Sequence, residues 1–353
     1  MGLKMVRKAR SWFVIIVCLL GWLSPAPSRA DSPLKVVATL TDLGSIAAAV
    51  GGDKVQVTTI ASGVQDPHYV DPKPSYVVKL RDADLFLVNG LDLEIGWVPP
   101  LLDGARNGRI RVGAPGYVDC SQNIQALEVP VGTVTRAEGD VHAYGNPHYT
   151  TDPLNGILIA ETITDAFRRA RPADAAYFEA RKKAFIKRID EALFGKDLVE
   201  LVGGRKLERV ARAGELDSFL RDAQGGTSLE SRLGGWLAQM KPLRGAKVVF
   251  YHKSYSYFVR RFGLVVDGYV ELRPGIQPGP AHLAELVTQM RADKVKLVLT
   301  HPFYDKKIAA LVADKAGAKL VTLPLDVGGV PGSTDYFKLF DVVIASLTRA
   351  ARN

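Results

Sequence analysis

Lys247-Val248-Val249-Phe250-Tyr251 opens the second half of the chain, and Leu85-Phe86-Leu87-Val88 stands in the first. Such short β-branched and apolar runs read as strands. Leu34-Lys35-Val36-Val37-Ala38 and Val55 to Ile60 precede the second of these runs. Leu264-Val265-Val266, Lys296-Leu297-Val298-Leu299 and Lys319-Leu320-Val321 follow the first. Longer helical patterns separate them, and this alternation predicts an α/β fold of two lobes, each a mostly parallel sheet flanked by helices.

Between the two sets, Ala173 to about Val202 contains no proline and one glycine, with an apolar stripe at Tyr177, Phe178, Phe185, Ile189 and Leu193. Pro172 stands before it and Gly203-Gly204 after it, residues that start and stop helices. The pattern predicts one interlobe helix over 173–203, a rod of roughly 45 Å at 1.5 Å per residue. The N-terminal lobe then occupies 31–172 and the C-terminal lobe 246–353. The polar, Gly-rich stretch within 204–245 has weak helical periodicity and reads as an accessory segment without a clear role.

Lys4, Arg7, Lys8 and Arg10 precede an apolar run from Trp12 to Leu23, and Ser28-Arg29-Ala30 closes it. This is the pattern of a secretory signal peptide over 1–30, cleaved after Ala30. A spanning helix needs roughly 20 apolar residues, more than the run offers. Lipidation at Cys18 is disfavoured because Val17 is not small and the apolar run continues past it. Removal of the segment lowers the formal charge from +9 to about +4, so nucleic acid is not implied. Only Cys120 remains, which excludes an intramolecular disulfide and leaves stability to the core.

The six histidines are few enough to weigh singly. His68 lies in Gln65-Asp66-Pro67-His68-Tyr69 and His148 in Gly145-Asn146-Pro147-His148-Tyr149, each followed by an Asp-Pro pair, Asp71-Pro72 and Asp152-Pro153. Either alone reads as well as a turn histidine; the pair is harder to dismiss. A preceding proline fixes the loop, and a polar neighbour can hold the second ring nitrogen, as metal-bound imidazoles require. His252 follows the strand ending at Tyr251, where open α/β sheets collect their ligands. Asp326 ends Val321-Thr322-Leu323-Pro324-Leu325 and on pattern alone is a solvated turn residue. A carboxylate there could complete a set of three histidines and one aspartate, donor chemistry suited to tetrahedral zinc.

The segment Gln65-Asp66-Pro67-His68 through Pro72 and Pro74-Ser75 to Ala83-Asp84-Leu85-Phe86-Leu87-Val88-Asn89-Gly90 resembles the first metal-binding motif of periplasmic receptors for zinc and manganese ABC importers. Pro147-His148 with Asp152-Pro153 resembles their second motif, Tyr251 to Phe258 with Phe262-Gly263-Leu264 the third, and Pro324-Leu325-Asp326 the fourth. The resemblance spans nearly all of the chain after the export segment. It implies a monomeric receptor that binds one Zn2+ through His68, His148, His252 and Asp326 and hands it to membrane permease and ATPase subunits. Histidine at the third position is similar to the zinc receptors, whereas manganese-type relatives carry glutamate there, so Mn2+ or Fe2+ is the less favoured cargo. The chain departs from the pattern in lacking a long His/Asp-rich loop before the second motif, in Tyr149-Thr150-Thr151, and in the extra segment 207–243.

Three further histidines stand outside that set. His142, after Glu138-Gly139-Asp140-Val141, reads as a mobile-loop histidine or as a remnant that captures metal. His282 and Glu285 share a helix face and read as solvated surface. His301 ends a strand and reads as bonded to a loop backbone rather than as a fifth ligand, and Glu271 faces the expected cleft with its role open. A zinc hydrolase is the rival class, yet no His-Glu-x-x-His helix, Gly-x-Ser-x-Gly elbow or phosphate-binding loop is present. An exported adhesion module would leave both Pro-His-Tyr loops without purpose.

Overall fold

The computed structural model describes residues 1–2, 32–132, 142–222, 228–271 and 275–352. Apart from Met1 and Gly2, the expected export segment lies outside the described residues, as does Glu138–Val141 before His142. Residues Pro33–Asn353 form one unit. No helix among the described residues is long and apolar enough to cross a membrane.

The N-terminal lobe runs β1 (Leu34–Ala38), α1 (Thr41–Gly51), β2 (Val55–Thr59), α2 (Pro74–Arg81), β3 (Leu85–Val88), α3 (Val98–Ala105) and β4 (Tyr117–Asp119). Its strands are all parallel in the order β2-β1-β3-β4, with Val36 level with Val57 on one side and Leu85 on the other. The central strand β3 is buried at every residue, which is why its sequence carries no polar alternation. α4 (Pro153–Ala170) leads to α5 (Ala175–Phe194), the helix that joins the lobes.

α6 (Lys196–Val202), α7 (Gly204–Ala213), α8 (Leu216–Arg221) and α9 (Gly235–Met240) follow. The C-terminal lobe then runs β5 (Lys247–Phe250), α10 (Ser256–Phe262), β6 (Val265–Tyr269), α11 (Pro280–Ala292), β7 (Leu297–Thr300), α12 (Lys306–Ala316), β8 (Lys319–Thr322) and α13 (Tyr336–Arg352). Its sheet, β6-β5-β7-β8, is again all parallel and repeats the strand order of the first.

Two elements differ from the sequence expectation. The single rod over 173–203 is divided at Gly195, which takes φ +89° and ends α5. A side chain there would meet the backbone of Gly234 at 2.6 Å, and Phe194 O accepts a hydrogen bond from Gly234 N. The helix therefore has 20 residues and spans about 30 Å. The segment 204–245 is a set of short helices whose Leu207, Ala211, Leu220, Trp236 and Met240 are buried in the main core. Its polar composition reflects the outward faces of helices too short to show a clear period.

That core is continuous between the lobes: β1, β3, α4 and α5 side chains share it with Phe250, Tyr257, Phe258 and the apolar face of α13. Polar ties reinforce the seam. Arg261 of α10 grips Asp152 with three hydrogen bonds of 2.9–3.1 Å, while Asp152 also caps α4 by accepting from Leu154 N. Thr41 donates to Val327 O and Asp42 accepts from Val327 N, both at 2.7 Å.

Candidate metal centre

His68 stands in the loop beyond β2, His148 in the loop entering α4, and His252 directly beyond β5. Each Pro-His-Tyr loop is pinned by a side-chain N–H on the proline carbonyl: Trp97 Nε1 donates to Pro67 O at 3.0 Å, and Asn89 Nδ2 to Pro147 O at 3.0 Å. Asn146 tightens the second loop, accepting from His148 N and donating to Lys253 O across the seam. Tyr149, fully buried, donates to Asn89 O. Two prolines and four hydrogen-bonding side chains thus hold backbone that has no regular ladder of its own.

The consequence is convergence. One ring nitrogen from each of His68, His148 and His252 lies within 4.8 Å of the other two. Their ring centroids are 5.1, 5.4 and 5.5 Å apart, with the planes at 69–88° to one another. The three side chains are 7, 4 and 6% exposed. Two nitrogens on one tetrahedral zinc sit about 3.4 Å apart, so a modest contraction of this cluster accommodates an ion.

Carboxylates orient the rings. Asp66 Oδ1 lies 2.7 Å from His68 Nδ1, and Glu271 Oε2 lies 2.8 Å from His252 Nδ1. A carboxylate on Nδ1 keeps the proton there and leaves Nε2 as an electron-pair donor. Glu271 is fixed in turn by Gly275 N–H on its other oxygen. Burial works to raise the Asp66 carboxyl, but its hydrogen bonds and charge contact with His68 outweigh it and hold the group below its usual value. Burial, then the neighbouring imidazoles, keep His148 well below the ordinary histidine range and hence neutral.

The other candidates fall as follows. Asp326 is buried beyond β8, outside the group of converging atoms; burial first, then the Asp42 and Asp66 carboxylates, push it well above the usual carboxylate value. Asp42 is likewise raised to about 7, chiefly by burial. His142 joins the site: its ring stacks on His68 at 5.2 Å. Burial, then His68 and His252, lower it to about 3. His301 is occupied on both nitrogens, by Leu323 O at 2.9 Å and Ser254 Oγ at 2.5 Å, as the backbone-bonded reading expects. His282 Nε2 lies 2.9 Å from Tyr269 O, and Glu285 is exposed. Cys120 is buried, and burial pushes its thiol far up, away from metal or nucleophile chemistry.

Sequence reasoning left Glu271 open and assigned nothing to Trp97, Asn89 or Asn146. Asn89 did carry a signal, since it directly follows β3 at the carboxyl edge where ligand loops gather. Trp97 lies 30 residues from the carbonyl it holds, and no local pattern links them.

A pair of parallel-sheet lobes joined by a helix, with imidazoles converging where their strands end, defines a bilobal solute-receptor architecture with a metal-type site. The sequence pattern of the family described as "ZnuA: Zinc-uptake complex component A periplasmic" matches residues 36–193 and 228–350. The chain belongs to this family, the metal-binding substrate-binding proteins of ABC importers. It is a family of receptors and not of enzymes, and the hydrolase reading falls with that.

The zinc-binding lipoprotein AdcA of Streptococcus pneumoniae strain ATCC BAA-255 / R6 is 24% identical over 300 residues, covering 84% of this chain and 51% of that protein. The manganese ABC transporter substrate-binding lipoprotein PsaA of Streptococcus mitis is 26% identical over 193 residues, 53% of this chain and 59% of its own length. The chain thus spans little more than half the length of these curated relatives. Among solved structures, a crystal structure of ZnuA matches with a TM-score of 0.64 at 20% identity, over 90% of this chain and 99% of that one. The Pseudomonas aeruginosa protein FpvC in complex with Mn2+ matches with a TM-score of 0.65 at 20% identity, over 90% and 98%. At that identity the two similarities establish a shared fold.

Proposed function

We propose that the protein is an exported, periplasmic zinc receptor that binds one Zn2+ between its lobes and delivers it, as a monomer, to the permease and ATPase of an ABC importer. The observation that supports this best is the convergence of three imidazoles, two with Nδ1 on a carboxylate, at the carboxyl ends of strands from both lobes. His68, His148 and His252 are the proposed ligands, and Asp326 supplies a carboxylate once its loop brings it to the ion. Three nitrogens favour zinc over manganese, which prefers carboxylate, carbonyl and water oxygens. Export is proposed from segment 1–30.

A direct test is the metal content of the purified protein, stripped and reloaded from an equimolar mixture of zinc, manganese and iron, beside a His68→Ala/His252→Ala double variant. One equivalent of zinc in the parent and markedly less in the variant is the expected result. Manganese or iron in the parent would overturn the zinc assignment while keeping the receptor, and no metal in either protein would overturn the whole reading.

A further inference from the structure

Among the described residues, His142 is a histidine packed against this centre that the proposed ligand set does not use. Its ring lies face to face with His68, centroids 5.2 Å apart and planes 26° from parallel. The ring also interacts with the Asp92 backbone carbonyl, and its Nε2 has no partner. The carbonyl belongs to the Leu91-Asp92 turn, both residues held at positive φ, 53° and 63°. Non-glycine residues adopt that conformation only where the surroundings enforce it.

Nε2 of His142 is buried and finds no hydrogen-bond partner within the protein, a condition shared with Nε2 of His68 and His148. A buried polar atom left unpaired is destabilising unless a ligand takes it up. His142 therefore shares with His68 a buried Nε2 that no protein group occupies. It is half-buried, with Ala143 and Tyr144 exposed beside it, so it stands on the solvent side of the three enclosed rings.

Resting on the receptor reading above, we infer that His142 is a further metal-contacting residue: its Nε2 adds a fourth imidazole to the ion held by His68, His148 and His252. Its nitrogen lies outside the group within 4.8 Å, so a small movement of the turn 142–145 brings it in. With Asp326 the shell is four nitrogens and one oxygen, within zinc's range of four to five ligands. The added imidazole raises discrimination, because a nitrogen donor favours zinc, whereas a water in its place suits manganese.

The experiment uses the full mature protein as parent, His142→Ala and His142→Gln variants, and His282→Ala as a histidine control away from the site. Zinc and manganese affinities are measured by competition with a chromophoric chelator, and the visible absorption of the Co2+ forms reports the donor set. Both His142 variants are expected to lose roughly tenfold or more in zinc affinity, the size that even residues behind the ligands carry. They also lose zinc-over-manganese preference and show altered cobalt bands, with His282→Ala unchanged and the metal-free melting curves superimposing. Parent-like affinity and cobalt bands in both variants would overturn the role of His142 and leave the receptor intact. A parent that binds no metal would overturn both.

Discussion

Glu271 accepts from Gly275 N–H through one oxygen and faces His252 Nδ1 through the other, so a single carboxylate ties the third imidazole to the backbone of the next loop. Glu271→Gln keeps the shape and removes the charge that fixes the ring's tautomer. The expected outcome is a zinc affinity lower by roughly 10–100-fold with stoichiometry unchanged, read by chelator competition; an unaltered affinity would mean that packing alone orients His252. The histidines at 68, 148 and 252 were legible because proline-bounded loops and strand ends are local patterns. Their supports were not. Asp66 is two residues from His68, but Glu271 is 19 from His252, and Asn89 is 58 from the Pro147 carbonyl it holds. Hydrogen bonds across such separations leave no periodic trace in a chain.

At the scale of elements, the apolar strands were readable because central parallel strands are buried on both faces and tolerate little else. β4 was missed: Tyr117–Asp119 is three residues long, lies at the sheet edge and ends on a charge. The break at Gly195 was missed for the opposite reason, since one glycine within a helical pattern is ordinarily tolerated. What makes it a break is Gly234, 39 positions on, against whose backbone Gly195 packs. Gly195→Ala places a side chain at positive φ and 2.6 Å from that backbone. A loss of about 1–3 kcal/mol is expected, read as a lower urea midpoint in a protein that still binds its metal. An unchanged midpoint would show that α6 can simply extend α5.

Across the whole molecule, the two sheets share one strand order yet are not independent bodies, because a single core and the Arg261–Asp152 and Val327 contacts run through the seam. Separating the lobes would expose that core, so loading is expected to involve loop movements and little change of overall shape. X-ray scattering of residues 33–353 is expected to give a radius of gyration of about 20 Å with and without zinc; a clear expansion on metal removal would contradict this. For the proposed receptor, the same feature sets where the difficulty of delivery lies. A cluster of imidazoles already gathered before cargo arrives loses little freedom on capture, which favours tight binding. On the receptor reading proposed above, unloading is then the step that needs outside work, and an importer is expected to apply it at the loops that close the site, since the lobes share one core.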